Sequence, residues 1–158
     1  MNQKLKISIT ILKEEANALH ELTSASLVAY RNYSGSSNID NFVILSSVYA
    51  FLIIKACSFQ DELNTQFKKV NIFTEDAELN KHINFYNGLF ENFDIRELRN
   101  LISHNRKKDG KEYKYITNED IQRLKNMESH PEYNGFDVGA SLIIKSINQL
   151  YYIENDEY

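Results

Sequence analysis

The chain is poor in residues that break or cross-link a fold. It has one proline, five glycines, one cysteine and no tryptophan in 158 residues. So few turn-forming residues disfavour the many short strands of a sandwich or barrel and favour long, uninterrupted helices. The lone Cys57 excludes an intramolecular disulfide and makes no zinc site by itself, and its apolar surroundings predict a small buried side chain.

The length and composition are those of one ordinary domain. With 42% apolar residues, a chain of this size can bury a substantial core, so we expect a single domain over residues 1–158. It opens without the pattern of a signal peptide. The longest apolar stretch, residues 42–59, is interrupted by serines and a lysine, which favours a central bundle helix over a membrane span. We therefore expect a cytoplasmic protein outside the membrane.

Apolar residues recur at three- and four-residue steps along most of the chain. This spacing predicts an all-α fold, an up-and-down bundle of about five to six helices, with the second helix buried on most of its sides. The expected helix starts lie near Lys4, Asn38 or Asp40, Thr74, Ile95, Thr117 and Asp137. The first helix is expected to reach about Tyr30, the fifth about Met127, and residues 154–158 to fray.

Residues 99–104 read RNLISH and carry most of the chemistry that the sequence can suggest. A permanent cation, Arg99, stands five positions before His104, whose imidazole titrates near neutrality. At about 100° per residue, Asn100 and His104 share a helix face, and Arg99 lies about 140° from His104 around the axis. All three polar side chains can then reach one surface groove.

The helix that carries this motif has its own start signal and core face. Asp94 and Glu97 have the spacing of a capping box, which places the start near Ile95. Apolar residues on the side away from the motif should pin the helix to the core and leave the polar groups outward. These residues are Leu98, Leu101 and Ile102.

A basic patch follows the motif on an otherwise acidic chain. Residues 96–114 include seven basic and three acidic residues, which gives this segment a charge of +4. Because the net charge of the chain is -4, the remaining residues together carry -8. Such a patch holds phosphates locally while the whole protein avoids indiscriminate polyanion binding. The alternative is an ordinary solvated turn rich in lysines.

This arrangement resembles the HEPN family, the higher eukaryotes and prokaryotes nucleotide-binding domains. Ribonuclease members carry Arg, four to six residues, then His, and the form RNxxxH is matched here by Arg99, Asn100 and His104. The architecture adds to the resemblance, since two long helices precede the motif and a shorter one follows. The resemblance implies a metal-independent endoribonuclease without a cofactor, in which two protomers pair so that both motifs line one shared cleft.

The resemblance also implies a role for each residue. His104 would act as general acid or base on the ribose 2′-hydroxyl or the leaving oxygen, Arg99 would hold the scissile phosphate, and Asn100 would orient His104 or bind a phosphate oxygen. Four basic residues would grip flanking phosphates of RNA: Arg106, Lys107, Lys108 and Lys111. A toxin or anti-phage defence role follows from the same resemblance, with an antitoxin or sensor protein as the partner that restrains it.

One position departs from the family pattern, and some alternatives stay open. Toxins of this type that are controlled by tyrosine modification carry Tyr two residues after the His, where this chain has Arg106. His104 would also suit a helix C-terminus, where the dipole favours a cation. The alternative function is a non-catalytic helical module that binds nucleotides, RNA or a partner protein. The other histidines, His20, His82 and His130, have no comparable partners in the sequence, and no metal site is expected.

Overall fold

The computed structural model describes residues 3–67, 76–104, 107–108, 111–112, 116–129 and 135–155. Within them the chain forms six α-helices and a hairpin of two-residue strands, which confirms the predicted all-α bundle. The elements are α1 (Gln3–Gly35), α2 (Ile39–Glu62), which continues as a π-helical turn (Leu63–Phe67), α3 (Ala77–Asn92), α4 (Ile95–His104), β1 (Lys107–Lys108), β2 (Lys111–Glu112), α5 (Asn118–Ser129) and α6 (Gly135–Asn155).

The two longest helices, α1 and α2, form an antiparallel pair. Polar contacts tie them along their length: the Ser8 hydroxyl donates to a Glu62 oxygen at 2.5 Å, and Lys55 Nζ lies 3.2 Å from a Glu15 oxygen. At the connection, the Asn41 amide donates to the carbonyl of Ser36 at 2.7 Å and so satisfies a backbone acceptor at the end of α1. The first helix is present as predicted, but it ends at Gly35, five residues past the predicted end at Tyr30.

The second helix lies at the centre of the bundle, with one side left open. Tyr49, Leu52 and Phe59 are fully buried, and Cys57 is buried as predicted. The prediction of burial on most sides is wrong for one face, however, because Ile44 is 55% exposed and Phe51 60% exposed. A two-layer contact with α1 covers only part of a helix that is apolar nearly all round.

Within the described residues, one helical segment is long and apolar enough to cross a membrane. It is Ile39–Thr65, whose most apolar window has a mean hydropathy of 2.0 and is 44% buried inside the bundle. The same pattern is typical of the core helix of a soluble bundle, and the fold is compatible with a soluble protein.

An aromatic cluster joins α2, α3 and α6 and supports α4. The Tyr86 ring lies 5.1 Å from Phe59, 5.3 Å from Phe90 and 6.0 Å from Phe136, measured between centroids. The Tyr86 hydroxyl donates to the Ala56 carbonyl at 2.9 Å, so the one polar atom of this ring is satisfied in the core. Phe90 then presents its face to the first turn of α4.

Most predicted helix starts are confirmed within two residues. Asn38 caps α2 by accepting from the Asn41 backbone at 2.8 Å, and Thr117 and Asp120 cap α5 reciprocally. The third helix is capped by Asp76, which accepts from the Leu79 backbone at 2.7 Å; the predicted start, Thr74, lies outside the described residues. The last helix begins at Gly135, two residues before the predicted Asp137.

The final helix also extends further than predicted. It continues to Asn155, so Glu154 and Asn155 are helical, although both were expected in a frayed tail. The rest of that tail, residues 156–158, lies outside the described part of the chain.

Candidate functional site

The motif helix α4 begins at the predicted residue by a different local mechanism. Asp94 has φ 50°, in the left-handed region that Asp tolerates better than most residues. A capping residue normally has extended backbone dihedrals, which Asp94 does not have. Asp94 instead forms the turn between α3 and α4. Its carbonyl accepts from the Leu98 backbone at 3.2 Å, and no side-chain cap from Asp94 is present among the described residues. The predicted capping box is therefore wrong, although the start at Ile95 is confirmed.

The apolar side of α4 holds the helix against the bundle. Ile95 is 0% and Leu98 3% exposed, and Ile102 packs against the core while remaining partly exposed. Leu101 is half-buried. The predicted packing against the core is thus confirmed for Leu98 and Ile102. The prediction left out Ile95, although its position one turn before Leu98 places it on the same face of the helix.

The first basic residue of α4, Arg96, is fully engaged in the protein. Its Nη2 lies 2.6 Å from Asp61 Oδ1, its Nε donates to Gln60 Oε1 at 2.8 Å, and its guanidinium carbon lies 5.5 Å from the Phe90 ring centroid. Burial acts to lower the pKa of Arg96, but the hydrogen bond and charge of Asp61 outweigh it and raise that pKa. Asp61 thus pairs with Arg96 and not with Arg99.

The next arginine, Arg99, has a different environment. It is half-buried, and within the described residues its one hydrogen bond is a long one, from Nη1 to Asn100 Oδ1 at 3.4 Å. Among the described residues no carboxylate lies within ion-pair distance of it, in contrast to Arg96. A half-buried cation without a counter-ion favours binding of an anion from solution. Arg99 and Asn100 are therefore adjacent, as predicted, though less outward than predicted.

The cationic side of α4 faces α2 near Cys57. Burial raises the pKa of the Cys57 thiol to about 11, while the charges of Arg96 and Arg99 act to lower it. Ile54, one turn before Cys57 on α2, is 37% exposed and belongs to the open apolar face of that helix.

The basic patch is only partly described. His104 is the last residue of α4, and its side chain lies outside the described part, as does all of Arg106. The backbone register of the hairpin pairs Lys107 with Glu112 and Lys108 with Lys111. Lys111 and Glu112 form the second strand of this hairpin.

A cavity of about 550 Å³ opens at the other end of α4, where the helix begins. Three carboxylates line it, those of Glu91, Asp94 and Glu97, together with Arg96 and amide side chains. Within the described residues, no His, Cys, Asp and Glu side chains group as metal ligands. The acidic lining repels phosphate, so an anionic ligand would approach α4 from Arg99 and the hairpin end.

Two other histidines have carboxylate partners that the sequence did not reveal. His20 Nδ1 lies 3.1 Å from Asp137 Oδ2, a contact between α1 and α6. His82 Nε2 lies 3.7 Å from Glu78 Oε1, and the side chain of His82 is 18% exposed. His130 lies outside the described residues.

Comparison with known proteins gives no further guide to this site. No protein-family model, curated protein or solved structure matches the chain.

Proposed function

We propose that the protein is a metal-independent endoribonuclease of the HEPN type, with its active site on α4. The observation that carries the proposal is the contrast between two arginines one turn apart. Arg96 is neutralised by Asp61, whereas Arg99 is half-buried without a carboxylate partner among the described residues. A cation left in this state beside a histidine and a basic hairpin is suited to a phosphodiester.

The chemistry requires a proton acceptor and a phosphate clamp. His104 takes the proton of the ribose 2′-hydroxyl or delivers one to the leaving oxygen, and Arg99 stabilises the charge that develops on the phosphate. Asn100, whose carbonyl oxygen already accepts from Arg99, holds that guanidinium in place or binds a phosphate oxygen. Attack by the 2′-hydroxyl leaves a cyclic phosphate on one product and a 5′-hydroxyl on the other.

The basic residues after α4 extend the site along the RNA. Arg106, Lys107, Lys108 and Lys111 bind flanking phosphates, which gives an affinity that falls with salt and depends little on base sequence. The acidic cavity at the start of α4 excludes the RNA backbone from that end. The substrate therefore lies across the C-terminal half of the helix.

A homodimer completes the site, because one motif does not easily supply both an acid and a base. The open face of α2 supports this pairing: positions 44, 47, 51, 54 and 58 follow the alternating three- and four-residue steps of a helix-packing seam. The large side chains of Ile44, Phe51 and Ile54 and two serines, at positions 47 and 58, make up this seam, which suits packing against a second copy of the same helix. Pairing through this seam would place two α4 motifs, one from each chain, in the same dimer.

The proposed setting is a cytoplasmic toxin or anti-phage component. RNA is the substrate, and an antitoxin or sensor protein restrains cleavage until it is needed. Arg106 occupies the position of the modified tyrosine in some toxins, so control by tyrosine modification at this position is not part of the proposal.

Single replacements of the motif residues test the proposal. Arg99→Ala and His104→Ala should each abolish RNA cleavage and any growth inhibition while leaving the helical content and mass in solution unchanged. Cleavage that survives both changes would exclude this site, and cleavage that requires added metal would exclude the mechanism. Binding of RNA without cleavage by the wild type would favour the non-catalytic helical module.

A further inference from the structure

A groove away from α4 lies between α1 and α6. Its volume is about 650 Å³, within the range of small-molecule sites. It reaches from Lys13 to His20 on α1 and from Ser141 to Gln149 on α6, each a stretch of about 10–12 Å at the helical rise. That length suits a small organic molecule.

The charged groups that line this groove are cationic. Lys13 and Lys145 stand on opposite helices, and His20 lines one end. The carboxylate of Asp137 lies 3.1 Å from His20 Nδ1, which fixes the ring and leaves Nε2 to a ligand. No lining residue carries a carboxylate. Two ammonium groups facing one space match the double negative charge of a phosphate monoester at neutral pH.

The other lining groups suit the organic part of such a ligand. Amide side chains of Asn17, Asn148 and Gln149 and the Ser141 hydroxyl offer donors and acceptors, and Ile144 is the larger apolar side chain. Within the described part of the chain, none of these four polar side chains has a hydrogen-bond partner, and neither lysine has an ion-pair partner. Several unpaired polar groups that converge on one groove are characteristic of a ligand site.

We infer that the α1–α6 groove binds a small organic phosphate monoester. The phosphate lies between Lys13 and Lys145, and the organic body contacts the amides and Ile144. The site is independent of the RNA motif on α4.

The test is a titration of the ¹⁵N-labelled full chain followed by amide chemical shifts. Glucose 6-phosphate and AMP represent a sugar and a nucleoside monoester, inorganic phosphate represents the anion alone, and glucose represents the neutral body. At least one monoester should give saturable shifts confined to the facing parts of α1 and α6, with weaker binding of inorganic phosphate and none of glucose.

Three variants make the result specific. Lys13→Gln and Lys145→Gln should each weaken monoester binding about tenfold, as expected when a charge-assisted hydrogen bond is lost. Lys6→Gln, two turns from Lys13 on the same helix and outside the groove, should bind as the wild type does. The inference is overturned if neither monoester saturates, if Lys6→Gln weakens binding as much as the groove variants, or if inorganic phosphate binds as tightly as both monoesters.

Discussion

Arg96 and Arg99 show how a single turn of helix separates a structural role from a functional one. Arg96 has a carboxylate, an amide and an aromatic face around it, all from the bundle, whereas the hydrogen bond of Arg99 within the described residues is to the neighbouring Asn100. Since both residues have the same chemistry, their surroundings alone distinguish them. The sequence could not make this distinction, because the pairing of Asp61 with Arg96 depends on how α2 and α4 pack.

Replacing each arginine separates stability from activity. Arg96→Ala should lower the free energy of unfolding by about 1–2 kcal/mol, since a charged hydrogen bond and a cation–π contact are lost while both ion-pair partners are partly exposed. Arg99→Ala should change it by less than about 0.5 kcal/mol. Urea unfolding of both variants measures the difference. Equal destabilisation by the two changes would contradict the distinction.

Glu128 on α5 gives a pH-dependent prediction at the same scale. Burial raises the pKa of Glu128, and Lys125, with its Nζ 3.8 Å from Glu128 Oε2, acts to lower it. A raised carboxyl pKa means that the folded state holds the proton more tightly than the unfolded chain does. Its stabilisation is therefore complete below the ordinary pKa of 4.5 and is lost as the pH rises through the folded value.

Glu128→Gln should accordingly gain stability relative to the wild type as the pH rises. The difference in free energy of unfolding is measured by urea denaturation at about pH 4 and about pH 7. Glu14→Gln, at an exposed position of α1, serves as the control and should change stability by less than about 0.5 kcal/mol. A Glu128→Gln difference that shrinks with rising pH would show that ionised Glu128 stabilises the fold.

Between elements, α3 and α6 approach closely at a glycine. A Cβ atom added at Gly139 would lie 3.0 Å from Cδ2 of Tyr86, the ring at the centre of the aromatic cluster. At Gly88 on α3 an added Cβ would have no atom within 4 Å. The two glycines therefore have different reasons to be present in helices.

Alanine at the two positions should act in opposite directions. Gly139→Ala should lower the free energy of unfolding by about 1–3 kcal/mol because the Tyr86 ring is held by its hydrogen bond to Ala56 and yields little. Gly88→Ala should raise it by about 0.5–1 kcal/mol, since alanine favours the helix and meets no obstacle. Thermal unfolding checks both, at about 2–4 °C per kcal/mol for a chain of this size. Stabilisation by Gly139→Ala would contradict this expectation and would mean that α3 and α6 can move apart to accommodate the added methyl group.

The helix starts show which structural features can be predicted from the local sequence. Asn38 and Thr117 cap their helices as predicted, because an Asx or Thr side chain and the next backbone amides are all that the cap requires. Asp94 has the same local pattern but takes a left-handed backbone imposed by the turn between α3 and α4. The open face of α2 was also missed, since apolar periodicity does not reveal how many neighbours cover a helix.

At the scale of the whole molecule, the apolar seam on α2 is the exposed surface through which the proposed dimer would pair. Large apolar side chains grouped on one exposed face are typical of interaction surfaces. The sequence motif RNLISH predicted which helix carries the candidate site. It also predicted that Arg99 and Asn100 belong to that site. The proposed pairing would be a property of two chains and has no signature in the residue spacing of one chain.

Charge placed in the seam tests the dimer. Phe51→Glu should give a monomer without RNA cleavage, because two carboxylates would face each other across the two-fold axis. Val28→Glu changes a residue of similar exposure, 56% against 60%, on α1 and should remain dimeric and active. Sedimentation measures the mass. A monomeric wild type at micromolar concentration, or identical behaviour of the two variants, would contradict the composite site.

The central claim is most directly tested by RNA cleavage in excess EDTA with analysis of the product ends. The wild type should cut RNA and leave 2′,3′-cyclic phosphate, and His104→Ala should lose activity by about 100-fold or more, the usual contribution of a general acid–base group. A substrate with 2′-deoxy nucleotides throughout should resist cleavage. Cutting of that deoxy substrate, or full activity in His104→Ala, would contradict a ribonuclease site on α4.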